Sequence, residues 1–206
     1  MGLGMGQARR RVAAVSFWRR VLEPRRDERA QALYAALVEQ ARRPEFYLGC
    51  GVPDTVDGRF EMIALHAFLL LRRLKRDRQQ TADLAQAVFD LMFTDMDENL
   101  REMGTGDQGV GKRVKAMAAA FYGRIKAYEN GLAGGGLDQA IRRNLFGTAT
   151  PKATEVARLA RYLRREAAAL DAADLDQLLA GQVTFGPAPA GTAEEKMAGT
   201  AAAETA

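Results

Sequence analysis

The sequence predicts an all-α protein, a compact multi-helix bundle of about six to seven helices joined by short loops. Three observations carry this expectation. Apolar residues recur three and four positions apart in one segment after another, the period of a helix with one buried face. Pro44, Pro53, Gly104, the Gly134-Gly135-Gly136 run and Pro151 punctuate the chain between those segments. A length of 206 residues, 48% of them hydrophobic, suits one domain with a sizeable core.

Residues 1–25 form a basic amphipathic leader. On a helical projection Ala14, Val15, Phe17, Trp18, Val21 and Leu22 share one arc, opposite Arg9, Arg19 and Arg20; Arg10 and Arg11 intrude on the apolar side, and Pro24 ends the pattern. The pattern is that of a helix seeking an anionic membrane surface or a partner, with Phe17, Trp18, Arg19, Arg20 and Leu22 as membrane-surface candidates; the alternatives are a disordered basic tail and a helix docked on the domain. Residues 28–43 follow as a helix with Ala30, Leu33, Leu37 and Ala41 inward, stopped by Pro44. Residues 44–57 read as a turn-rich connection, and Asp57 as the N-cap of a helix on which Phe60, Ile63, Ala67, Leu70 and Leu74 align. Its last turns hold Arg72, Arg73, Lys75 and Arg76, where the helix dipole favours cations.

A helix over 82–102 carries two apolar rows, Leu84-Val88-Leu91 and Phe89-Met92-Met96-Leu100, and so reads as the central one. The helix over 108–130 aligns Val110, Val114, Met117, Phe121, Ile125 and Tyr128. A short helix at 137–146 precedes one opened by Thr150-Pro151, with Val156, Leu159, Leu163 and Leu170 on one side. A short piece at 174–180 ends the helices, and Val183-Thr184-Phe185 reads as extended. The helical domain thus spans 28–185, and the Pro/Ala/Gly/Thr/Glu composition of 186–206 predicts a disordered tail.

Composition removes several functions. One cysteine, Cys50, precludes an internal disulfide, and one histidine, His66, precludes zinc sites built on paired histidines. The longest charge-free apolar run, Met62 to Leu71, is too short to span a bilayer. The leader has no uninterrupted apolar stretch of signal-peptide type, which points to a reducing, cytoplasmic setting. The net charge is +4, and the running charge through Arg29 is already +5, so the domain beyond carries no basic surplus of the kind nucleic-acid binders show. Phosphate-loop and dinucleotide patterns are missing, and Asp95 and Asp97 lie about 200° apart on a helix, too far round to share one metal ion. No enzyme activity and no cofactor are expected.

Two charge patterns stand out. Around Pro53 to Glu61, Asp54 is placed to hold turn amides and Glu61 suits a first helical turn, whereas Arg59 opposes the dipole and needs an acid, internal or from a partner. Asp95, Asp97, Glu98 and Glu102 crowd a helix C-terminus with Arg101, while Lys112, Arg113 and Lys115 sit near the start of the next helix. An antiparallel hairpin would pair them, Asp95 or Glu98 with Lys112 or Lys115. The alternative to such internal pairing is a charged docking surface, for which Asp54, Arg59, Glu61, Asp95, Asp97, Arg101, Lys112, Lys115 and Arg124 are the candidate partner-binding residues. His66 reads as a hydrogen-bonded residue at the core edge, and Cys50 as chemically idle.

Several motifs, in order, resemble the ubiquinol–cytochrome c chaperone family. They run from Tyr34 and Gln40-Ala41-Arg42 through Phe46-Tyr47 to Gly51-Val52-Pro53-Asp54-Thr55 and Asp57-Gly58-Arg59-Phe60-Glu61. Leu65-His66, Phe89-Asp90, Asp95-Met96-Asp97, Leu100-Arg101-Glu102-Met103-Gly104, Phe121-Tyr122-Gly123-Arg124 and Tyr128 continue them, with Arg143-Asn144-Leu145 as a weaker tail. The resemblance covers residues 30–147. It implies a non-enzymatic helical chaperone for assembly of respiratory complex III, with newly made cytochrome b or another complex III subunit as client. It also implies a possible second assembly factor, and a peripheral place at the cytoplasmic face of the inner membrane (the matrix if the source is eukaryotic). The competing reading is a basic helical protein bound to nucleic acid or the ribosome, whose affinity would fall steeply with salt.

Overall fold

A computed structural model describes residues 27–102 and 107–190, with backbone alone at residue 100 and residues 107–115. The described residues form six helices of nine residues or more: α1 (Glu28–Ala41), α3 (Val56–Arg76), α4 (Arg78–Glu102), α5 (Asp107–Leu132), α6 (Leu137–Leu145) and α7 (Ala153–Asp171). Two five-residue helices, α2 (Pro44–Leu48) and α8 (Leu175–Leu179), complete them. The all-α bundle expected from periodicity is the fold. The leader over 1–25, with Phe17, Trp18, Arg19, Arg20 and Leu22, lies outside the described residues.

The central helix is α3, not the helix at 82–102 that the apolar rows suggested. Met62, Leu65, Phe68 and Leu69 enter one apolar cluster with α2, α6 and α7. Ala64, Ala67, Leu70 and Leu74 enter a second with α1, α4 and α8. A helix buried on opposite sides serves as a partition between two half-cores, which is why its apolar run is nearly unbroken. By contrast α4 contributes its buried residues to the second cluster alone.

Local chemistry sets the helix ends. The Asp27 carboxylate accepts from the amides of Arg29 (3.0 Å) and Ala30 (3.4 Å), capping α1. Pro44 both stops α1 and opens α2, its missing N–H costing nothing at a first helical position. Thr55, not Asp57, caps α3, through Oγ1 accepting from Gly58 N at 3.1 Å. Asp57 falls in the first turn, two positions too late to cap. Gly58 has no room for a side chain, because a Cβ there would collide with the Pro53 carbonyl. Asp77 alone separates α3 from α4. The corner is stitched by the buried Thr81 hydroxyl, which donates to Leu74 O at 2.5 Å and lies 3.0 Å from Asp77 O. At α7 the cap position is Lys152 rather than Thr150, with the Glu155 carboxylate accepting from Lys152 N at 2.7 Å.

After α8 the chain crosses the bundle without forming a strand. Val183, Phe185 and Ala188 pack into the cores. Gly186 is held at both backbone atoms, its N–H donating to buried Glu166 (2.8 Å) and its carbonyl accepting from buried Gln40 (2.8 Å). The tail expected to be disordered from residue 186 is thus fixed for its first residues by two side chains and an apolar contact; residues 191–206 lie outside the described residues.

Candidate functional site

Between the C-terminal ends of α1 and α4 and the start of α3 lies a groove of about 930 Å3. Its floor is apolar, built by Val52, Phe60, Ile63, Met96 and Met117. Leu48 and Val56 stand at its edge, 83% and 57% exposed, and are among the exposed large apolar side chains of the described residues. Tyr34 and Tyr47 bring hydroxyls to its walls, and Arg42, Asp54, Arg59, Asp95, Asn99 and Glu102 supply polar lips.

Each polar group is set by a local cause. Asp54 and Arg59 pair at 2.6 Å while both remain exposed. Asp54 therefore does not hold turn amides as expected, and Arg59 finds the internal acid its position demanded. The guanidinium beside Asp54 holds its carboxyl below the usual range. Tyr34 donates to Asp95 at 2.7 Å, linking α1 to α4 across 61 residues of sequence. Burial, and then that carboxylate, push the Tyr34 phenol up. Tyr47 donates to Ala41 O at 2.9 Å, and burial likewise raises its phenol.

Behind the groove Glu61 and Arg124 form a two-contact ion pair, with Arg124 Nε 2.6 Å from one carboxylate oxygen. Arg124 also lies 5.6 Å from the Phe60 ring centroid, so the pair braces a floor residue. Burial pushes the Glu61 carboxyl up, and the Arg124 guanidinium opposes that shift.

Of the sequence candidates, the groove brings together Asp54, Arg59 and Asp95, with Glu61 and Arg124 one layer behind. Asp97 and Arg101 form their own pair at 2.7 Å along α4 and do not line the groove. The side chains of Lys112 and Lys115 lie outside the described residues, and with them the expected pairing across the hairpin. Ring contacts of Phe89 and Phe93 with Phe121, and of Phe89 with Tyr122, join α4 to α5. Sequence reasoning missed the apolar floor and both exposed edge residues, because five separate segments supply them.

His66 is fully buried rather than at the core edge. Its Nδ1 lies 2.8 Å from Met62 O and its Nε2 2.7 Å from the Tyr162 hydroxyl. The pattern is satisfied by a neutral ring donating to the carbonyl and accepting from Tyr162, which in turn accepts from Gln40 at 2.9 Å. Burial pushes the imidazole pKa down to about 4. Cys50 is buried too, its sulfur 3.9 Å from Pro189 O. Among the described residues no group of three or more His, Cys, Asp or Glu side chains is placed to hold a metal ion, and no helix is long and apolar enough to cross a membrane.

Comparison with known proteins agrees with the motif reading. The family model described as ubiquinol-cytochrome C chaperone matches residues 48–185. That match extends past the 30–147 span of the motifs and takes in α7, whose contribution is core packing rather than surface motif. The chain is 28% identical over 161 residues to ubiquinol-cytochrome c reductase complex assembly factor 1 of Mus musculus, covering 77% of this chain and 55% of the mouse protein. The Xenopus laevis protein of the same name is 27% identical over 161 residues, which is 80% of its length. The chain thus spans about half of the mouse relative. A crystal structure of the Cbp3 homologue from Brucella abortus superposes with a TM-score of 0.72 at 33% identity, over 85% of this chain and 97% of that one. On these matches, and on the helical bundle that they share, the chain belongs to the ubiquinol–cytochrome c chaperone family.

Proposed function

We propose that this chain is a non-enzymatic assembly chaperone for the ubiquinol–cytochrome c reductase, holding a segment of newly made cytochrome b in the groove between α1, α3 and α4. The mouse and frog relatives are named as assembly factors of that complex, and the family is described as a chaperone family. The observation that carries the reading is the groove itself, with an apolar floor and exposed Leu48 and Val56 at its edge. Exposed apolar residues beside a concave apolar surface mark a place where another chain buries its own apolar side chains. The Asp54–Arg59 pair and Asp95 at the lips would fix the orientation of that segment. A second assembly factor and a peripheral position at the cytoplasmic face of the inner membrane complete the proposal.

Two substitutions test it in cells lacking the native protein. Leu48→Asp touches an 83% exposed side chain, and Arg59→Ala breaks a solvent-screened surface ion pair that contributes little to stability. Both variants should melt within a few degrees of the parent, yet lower spectrally measured b-type haem and capture less cytochrome b from native membranes. Normal haem and normal capture in both would remove the groove from client handling.

A further inference from the structure

The end of the bundle opposite the groove carries a different chemistry. There α1 begins, next to Gly181: that residue has φ +81, and a Cβ on it would stand 2.8 Å from the Arg29 Cα. There α3 and α7 also end, tied together by Arg73 donating to Ala173 O (2.9 Å) and Arg76 donating to Asp171 O (3.1 Å). Arg59 at the groove and Lys75 at this end are 16 positions apart on α3, about 24 Å at the helical rise. Between α3 and the end of α5 sits an open pocket of about 460 Å3, lined by Arg72, Lys75, Arg76, Glu129, Leu132 and Ala133.

The cations of this pocket are incompletely neutralised. Asp171 is one carboxylate shared by two guanidinium groups, Arg72 at 2.8 Å and Arg76 at 3.1 Å. Each reaches it through Nη1, leaving further N–H donors of the five that a guanidinium carries. Lys75 meets Glu129 only at 3.4 Å, with side chains 69% and 38% exposed, a pair that exchanges readily with another anion. Three cations with donors to spare, over the small apolar floor of Leu132 and Ala133, are suited to a phosphate, which arginine grips with paired N–H groups.

The leader decides between sources of phosphate. It leads into the bundle at Asp27, at this same end, and its sequence combines six arginines and one acid with Phe17 and Trp18. Basic charge plus aromatic residues is the pairing of signals that holds a protein on a bilayer surface. We propose that this end docks on an anionic bilayer, with a lipid phosphate in the Arg72–Lys75–Arg76 pocket, so that the groove faces away from the membrane. The proposal deepens the peripheral location given above and rests on it.

The test is sedimentation of the full chain with vesicles of phosphatidylcholine alone, or of phosphatidylcholine with phosphatidylglycerol. Lys75→Gln should weaken binding to the anionic vesicles about fivefold, and the Lys75→Gln/Arg76→Gln pair about 25-fold. Binding to neutral vesicles should not change. Because Arg76 also ties α3 to α7, melting temperature is read alongside, and Lys75→Gln stands as the variant with no such tie. Parent-like binding of both variants to anionic vesicles overturns the proposal. So does a loss confined to an RNA oligonucleotide, which would make nucleic acid the polyanion. The groove reading is scored separately: b-type haem in cells carrying Arg59→Ala can fail while vesicle binding holds, and the reverse.

Discussion

At the scale of single residues, small displacements along the chain decide which side chain does which work. The stretch from Asp54 to Glu61 is visibly a helix start in the sequence, yet the cap is Thr55 and the acid at Asp57 comes two positions late. Thr55→Ala should therefore cost about 0.5–2 kcal/mol in urea unfolding. Asp57→Ala should cost less, since it loses only a dipole interaction of about 0.3–1 kcal/mol; the reverse order would contradict the capping geometry. Arg59 was legible as a residue in need of an acid, though only the structure selects Asp54 five positions back. His66 offers a second residue-level test. Its imidazole is held neutral, with a folded pKa of about 4 against 6.5 unfolded. The unfolded chain binds the proton first, so this stability is complete above pH 6.5 and is lost as pH falls towards 4. It is the single histidine, so the interval from pH 7 to 5 belongs largely to it. Unfolding free energy should drop there by about 2 kcal/mol, and a flat profile would show the ring to be accessible in the folded state.

At the scale of elements, the apolar stripes were readable wherever one face of a helix is buried. Ala30, Leu33, Leu37 and Ala41 in α1 are all fully buried, as their spacing requires. On α3 the stripe Phe60-Ile63-Ala67-Leu70-Leu74 marked the helix and one packed face, but a single stripe misses the opposite face of Met62, Leu65, Phe68 and Leu69. Stripes fail for the segment after α8, which has no period and is held instead by Glu166, Gln40 and Phe185. That segment covers Cys50. Deleting residues 183–206 should make the Cys50 thiol react rapidly with an aromatic disulfide reagent, whereas deleting 191–206 should leave it protected. Equal reactivity of the two truncated chains would mean that the segment does not shield the thiol.

At the scale of the whole molecule, the family was legible from ordered motifs while the groove was not. Its lining residues come from α1, α2, the loop before α3, α3, α4 and α5, and no local pattern links them. Tyr34 and Asp95, which meet at its wall, are separated by 61 positions. Charge, unlike shape, was readable in advance: the basic leader and the cations closing α3 are plain in the sequence, and the described residues begin, at Asp27, at the end where those cations lie. Removing residues 1–25 should leave the bundle folded, with its helical circular dichroism intact, and should release much of the protein from anionic vesicles. Vesicle binding that survives the deletion undiminished would assign all of the attachment to the bundle end.

The loop that forms one lip of the groove is tied down within seven residues: Thr55 bonds to Gly58, Asp54 pairs with Arg59, and Gly58 lies against the Pro53 carbonyl without space for a methyl group. A lip so fixed before its occupant arrives has little conformational freedom left to lose on binding, and immobilising a loop is one of the larger entropic penalties of association. A chaperone has to release what it holds, so the affinity spared that penalty can come from few contacts, and few contacts break quickly. In the proposed role, a residue with a side chain at Gly58 would displace the Pro53 carbonyl and loosen the lip, so that a client would need more contacts, and leave more slowly, for the same occupancy.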